Sequence, residues 1–144
     1  MKPTVNQIGV ALVVAFVAIQ LVPVDRSNPP VESDVPAPEP VRAVLKRACY
    51  DCHSNESVWP WYSHVAPVSW LIARDVHEGR EELNYSLWNK LSEQKQAKAK
   101  KDTWEEISEG EMPPAIYLVM HGDAHLSLAD RALVREWSQS GHGP

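Results

Sequence analysis

Cysteine is scarce in this 144-residue sequence: there are two, Cys49 and Cys52, three positions apart. Two such cysteines leave a short choice, between a redox pair, a metal half-site and a cofactor attachment point. There is no excess of positive charge. The formal net charge is −5, which gives a nucleic-acid role no electrostatic support and reads as ordinary solubility. Phenylalanine occurs once, inside an N-terminal apolar run, whereas tryptophan occurs six times. Large flat side chains make a dense core or good walls for a flat apolar ligand. No internal repeat and no period-2 strand pattern is visible, so helical periodicity dominates.

Three regions follow from composition. The first, residues 1–24, contains the run Ile8 to Val22, apolar apart from Gly9 and Gln20, with Lys2 before it and Pro23, Asp25 and Arg26 after it. It reads as a signal segment or a short membrane anchor. As a helix it reaches about 22 Å, against a hydrocarbon core of about 30 Å. Small-x-small cleavage triplets near its end are spoiled by Val13 or Phe16, so an uncleaved anchor is the preferred reading. Either way the chain is exported. Residues 25–40 hold Pro29, Pro30, Pro36, Pro38 and Pro40 among polar residues and read as an extended, solvated linker. Fully stretched, it would reach about 50 Å at roughly 3.1 Å per residue.

Residues 41–144 form the expected folded domain, a small all-α unit. Pro40 suits a helix start, with Val41, Val44, Leu45 and Ala48 on one face. Pro67 opens a second helix expected to end near Gly79. Ser86 is expected to cap a third, through Leu87, Trp88 and Leu91 to Lys101, with Thr103 to Ser108 continuing or restarting it and Gly110 stopping it. Ser127 with Asp130 resembles a capping box for the last helix, which carries Leu133, Val134 and Trp137 as an apolar stripe. The helix at 41–48 and the last helix are expected to pack together.

The chemistry lies in Cys49-Tyr50-Asp51-Cys52-His53. Two thiols separated by two residues can reach the two vinyl groups on one edge of a porphyrin. The histidine directly after the second cysteine is then placed under the iron. A thioredoxin-like pair would want a preceding strand and a βαβ context, and a zinc site would want a second ligand pair; neither is visible. A single disulfide would not call for the following histidine. The reading is therefore one covalent haem c, with thioethers at Cys49 and Cys52 and His53 as an axial iron ligand. A domain of about 100 residues gains from such a large apolar cofactor, so the apo-form is expected to fold poorly.

For the second axial position the downstream candidates are His64, His77, Met112, Met120, His121, His125 and His142. Met112 is preferred. It stands in Gly110-Glu111-Met112-Pro113-Pro114, where two prolines make a stiff loop that can hold a thioether at small ordering cost. Its alternative role is to fill a core gap. Met120 has a more core-like setting, and His64 is the best of the histidines because it is nearest the motif in sequence.

Together these strings resemble the bacterial haem-binding domain family of small exported monohaem c-type cytochromes. The likeness rests on Cys-Tyr-Asp-Cys-His-Ser-Asn at 49–55, Trp-Pro-Trp-Tyr-Ser at 59–63, Ala-Pro-Val-Ser-Trp at 66–70, Asp75-Val76, Gly79-Arg80, Gly-Glu-Met-Pro-Pro at 110–114, and Val-Pro-Val-Asp-Arg-Ser-Asn-Pro-Pro at 22–30. It covers nearly the whole chain. The resemblance implies a helical monohaem domain, usually behind one N-terminal hydrophobic segment, with thioethers at Cys49 and Cys52, proximal His53 and distal Met112. It implies no common redox partner.

The expected function is an electron carrier on the periplasmic side of the inner membrane, serving membrane-associated redox partner proteins. His/Met ligation raises the reduction potential and leaves no open iron site. No acid/base pair or nucleophile is assembled, so no enzyme activity is expected. The alternative class is a haem-based sensor or gas-binding module, which needs a distal methionine that is absent or leaves easily. A peroxidase-like subunit is a third, and it needs an open coordination site.

Overall fold

A computed structural model describes residues 3–140. Among them every regular element is helical. The α-helices are α1 (Val5–Ile19), α2 (Glu39–Ala48), α3 (Tyr50–His53), α4 (Val68–Glu82), α5 (Glu93–Glu109), α6 (Ala115–Leu118) and α7 (Leu128–Gln139). Short 3-10 turns occupy Trp61–His64, Tyr85–Lys90 and Gly122–Ala124.

The helix starts follow local chemistry. Proline at the first positions of α2 lacks only an N–H that no helix would use there, and Val41, Val44, Leu45 and Ala48 are all buried. At α7 the Ser127 hydroxyl accepts from the Asp130 N–H, and the Asp130 carboxylate accepts from the Ser127 N–H, a reciprocal capping box. The third expected helix divides differently. Asn84, not Ser86, caps the 3-10 turn at Tyr85–Lys90, and the α-helix begins after Ser92, whose side chain accepts from the Lys95 N–H. Ser86 is instead buried, and its hydroxyl accepts from the Asn55 N–H. The long helix α5 continues unbroken through Thr103 and stops at Gly110, in the left-handed region at φ 84°. Gly79 does not end α4, which runs on to Glu82.

The core gathers α2, α5 and α7 around Leu45, Tyr85, Trp88, Ile107, Val134 and Trp137. Helix α2 packs on α7, where Arg47 meets Asp130 at 3.0 Å. Tyr50 stacks on Tyr85 and Tyr85 on Trp88, which carries the core up to the cysteine turn.

The proline-rich segment is extended, as its composition predicts, but it is not a solvated spacer. Val35 is 1% exposed, and it joins the core cluster together with Ala37. The N–H groups of Glu32 and Ser33 both donate to the Ser86 carbonyl, at 3.0 and 3.1 Å. Asn55 donates to the Pro30 carbonyl at 2.8 Å, and Asn28 to the Ser57 carbonyl at 2.8 Å. Prolines keep the strap extended, and the domain supplies the donors and acceptors that a proline-rich strand cannot pair within itself. The expected 50 Å reach is therefore lost to docking.

Helix α1 differs from all the others. From Ile8 to Ile19 its flank is apolar and exposed, including Leu12 at 66% and Phe16 at 52%, and it buries no residue. A helix that is apolar all round, with no partner, has no reason to be stable in water. No described helix is long and apolar enough to cross a membrane.

Candidate functional site

The site begins where α2 ends. Cys49 closes α2 with its N–H on the Leu45 carbonyl, and its own carbonyl starts the next turn by accepting from Cys52 and His53 at 3.2 and 2.9 Å. Cys52 and His53 thus lie in a single helical turn, α3, with Cys49 at its cap. Both thiols are free. Burial, reinforced by the neighbouring Cys52 thiol, pushes Cys49 up to about 12. Burial, with Asp51 and Asp75 nearby, pushes Cys52 up to about 11. Both are thiols at neutral pH, the reverse of the acidic thiolate on which a C-x-x-C oxidoreductase depends.

His53 is held from one side. Its Nδ1 lies 3.0 Å from the carbonyl of Leu83, the residue that caps α4. A carbonyl only accepts, so Nδ1 carries a proton, and in the neutral imidazole the lone pair falls on Nε2. An imidazole fixed in this tautomer by a backbone carbonyl is oriented to ligate a metal through Nε2.

Helix α4 lies directly against α3, and Gly79 is the reason it can. A Cβ at this position would stand 2.8 Å from the Cys52 carbonyl oxygen, closer than any side chain tolerates. The next residue, Arg80, ties the loop after the motif to the proline strap. Its guanidinium donates to the carbonyls of Ser54 and Ser27, to Asn28 Oδ1 and to Ser57 Oγ, at 2.7–2.9 Å. Asp51, inside the motif, accepts from the Val58 N–H at 2.9 Å and from the Tyr117 hydroxyl at 2.8 Å. Tyr50, the other inner residue, donates to Asp34 of the strap. The motif is therefore gripped by α4, α6 and the strap together. The sequence reading does not name Leu83, Arg80 or Asp51 as supports; the Gly79-Arg80 pair, which belongs to the family-like pattern, is the available signal.

Met112 stands just after the α5 stop. Its N–H and that of Glu111 both donate to the Glu106 carbonyl, at 3.2 and 3.0 Å. The side chain is half-buried against the core cluster, the same cluster on which Cys49 rests. Met112 and Cys49 thus pack on one core cluster. The other candidates lie elsewhere. Met120 is 58% exposed. His64 and His125 are exposed, and His77 pairs with Glu81 on the surface of α4. His121 stacks on Tyr117 and has both nitrogens occupied, Nδ1 by the Tyr117 carbonyl and Nε2 by the Tyr62 hydroxyl. His142 lies outside the described residues.

A family model described as a haem-binding domain matches residues 14–140. The chain belongs to the haem-binding domain family. No curated protein and no solved structure matches it. The residues fit the cofactor that the family's description names. Two free thiols at the ends of one turn suit attachment to one edge of a porphyrin, and an imidazole with a fixed tautomer suits its iron. The matched region also takes in the end of α1 and the strap, in keeping with their hydrogen bonds to the domain.

Proposed function

We propose that this haem-binding domain protein is a monohaem c-type electron carrier, held at the outer face of the bacterial inner membrane by its N-terminal segment. The observation that carries the reading is His53: directly after the second of two free thiols, with Nδ1 committed to the Leu83 carbonyl. Cys49 and Cys52 would hold the haem covalently, His53 Nε2 would ligate its iron, and Met112 would supply the sixth ligand. When bound, the haem supplies a one-electron couple. The chain's part is to keep that couple stiff. The Leu83 carbonyl holds the imidazole, Gly79 lets α4 press on the turn, and Asp51 and Tyr50 brace it from outside. A rigid ligand set suits outer-sphere electron transfer, because little has to move when the charge changes. Its electrons would pass to and from redox partner proteins at the same membrane.

The test is an optical spectrum of the full chain in both redox states, with and without carbon monoxide. It is paired with a haem-peroxidase stain of a gel run after hot detergent. A stained band, low-spin spectra and no carbon monoxide binding are expected. A colourless band from cells competent in cytochrome c maturation would remove the covalent attachment. Ready binding of carbon monoxide would replace the carrier with a gas-binding module.

A further inference from the structure

Helix α1 is not joined to the domain by a free tether. Gln20, the residue that caps its C-terminal end, closes a two-way clasp on the backbone of Ala66. The Ala66 N–H donates to Gln20 Oε1 at 2.9 Å, and Gln20 Nε2 donates to the Ala66 carbonyl at 3.2 Å. Six residues on, the Arg26 guanidinium donates to the Ser63 carbonyl at 3.4 Å. The end of the apolar helix is thus fixed to the corner between the Trp61–His64 turn and α4.

Large apolar side chains are exposed in the elements that form this corner. Trp61 is 74% exposed, Val68 44%, Leu71 41% and Trp70 37%. Leu21 and Val22, which leave the helix there, are 81% and 50% exposed. Exposed tryptophan beside large aliphatics is the composition of a surface that rests at the level of lipid headgroups.

We infer that this face, Leu21–Val22 with Trp61, Val68 and Leu71, seats on the lipid bilayer, so that the domain is held on the membrane in one orientation. The inference rests on the membrane attachment proposed above and goes further, because attachment alone would leave the domain free to turn. Lipid is favoured over a partner protein by continuity. If α1 enters the bilayer, the clasp brings this corner to the headgroups within a few residues, with no slack to turn away. Length points the same way. Fifteen helical residues span about 22 Å. The hydrocarbon core is about 30 Å thick, so the helix needs apolar neighbours at its end to settle the mismatch.

The full chain, as purified with its haem, can be placed in phosphatidylcholine vesicles that carry a photoactivatable group on the acyl chain near the headgroup. After illumination, adducts are mapped by mass spectrometry. Adducts are expected on α1 and on the peptides holding Trp61, Val68 and Leu71. None are expected at Leu128, which is 88% exposed on the separate start of α7. Adducts on α1 alone would overturn the seated face and leave the anchor standing. Adducts on neither would remove the anchor itself. Equal labelling at Leu128 would mean unoriented contact and would overturn the inference. Gln20→Leu keeps the helix apolar but opens the clasp. It should cut labelling at 61–71 several-fold and leave labelling of α1 unchanged; equal labelling of 61–71 would show that the clasp does not orient the domain.

Discussion

The Cys49–His53 turn and the Met112 loop are the two halves of the proposed haem site, and they are built by different means. The turn is held by directional bonds from outside itself: Leu83 to His53, Asp51 to Val58 and Tyr117, Tyr50 to Asp34. The Met112 loop is held by the helix stop at Gly110, two backbone bonds to Glu106 and apolar packing. Hydrogen bonds specify angle, whereas packing specifies volume and tolerates small shifts. In the proposed site the turn is thus suited to a permanent attachment, and the loop to a ligand that tunes the iron and whose removal leaves that attachment intact.

The sharpest break in that comparison is on the turn. Cys49→Ala with Cys52→Ala should abolish the haem-stained band altogether and leave a poorly folded chain, read by gel stain and by loss of helical circular dichroism. Met112→Ala should leave the stained band intact. It should instead lower the reduction potential and admit carbon monoxide. A sulfur that prefers ferrous iron by tenfold is worth about 59 mV in a one-electron couple, so a drop of at least that size is expected in a potentiometric titration. Met120→Ala, at an exposed position, should change neither. If the two methionine variants exchange these behaviours, the distal ligand is Met120.

Smaller effects sharpen the contrast further. Gly79→Ala forces α4 away from the Cys52 carbonyl and should destabilise the folded chain by roughly 1–3 kcal/mol. It should also weaken the His53–Leu83 bond, visible as a shift in the haem spectrum. Gly110→Ala, with open space around it but φ at 84°, carries only the left-handed penalty of about 1–2 kcal/mol. Its spectral change should be confined to the far-red thioether-to-iron band. Thermal unfolding with spectra taken alongside checks both.

The smallest effect concerns pH. The Ser127 hydroxyl, with help from the Ser127 N–H and Arg47, holds the Asp130 carboxyl below its ordinary value of 3.8. A lowered folded-state value contributes stability that is present above the unfolded value and lost as pH falls through the folded one. The loss therefore belongs below about pH 4. The carboxylate lies at the surface with 18% of its side chain exposed, beside water and Arg47, and the term is worth under about 1 kcal/mol. Asp130→Asn should flatten the acid limb of stability measured by denaturant titration, with no change at the Met112 loop.

Much of this was legible in the sequence because it is local. Proline at 40, Ser127 with Asp130, and Gly110 each act on backbone groups within four residues, and the structure uses them as the sequence predicts. The Ser86 cap failed for the same reason it was attractive. A serine hydroxyl bonds whatever donor is near, and folding brought the Asn55 N–H closer than its own helix. Gly79 looked like a stop because glycine often is one; only the approach of α3 reveals that it is a clearance.

The sequence by itself determined the helical class, the spacing of the two thiols and the histidine, and the apolar character of the first helix, since each follows from residue type and separation along the chain. The tertiary structure decided which nitrogen of His53 is free, that the proline segment is a strap rather than a tether, and that Gln20 fixes α1 to the Trp61–Ala66 corner. Those facts depend on partners 25 to 46 residues away in the chain. No periodicity or propensity reports such a pairing, because the bond exists only once both segments have been packed against a common core.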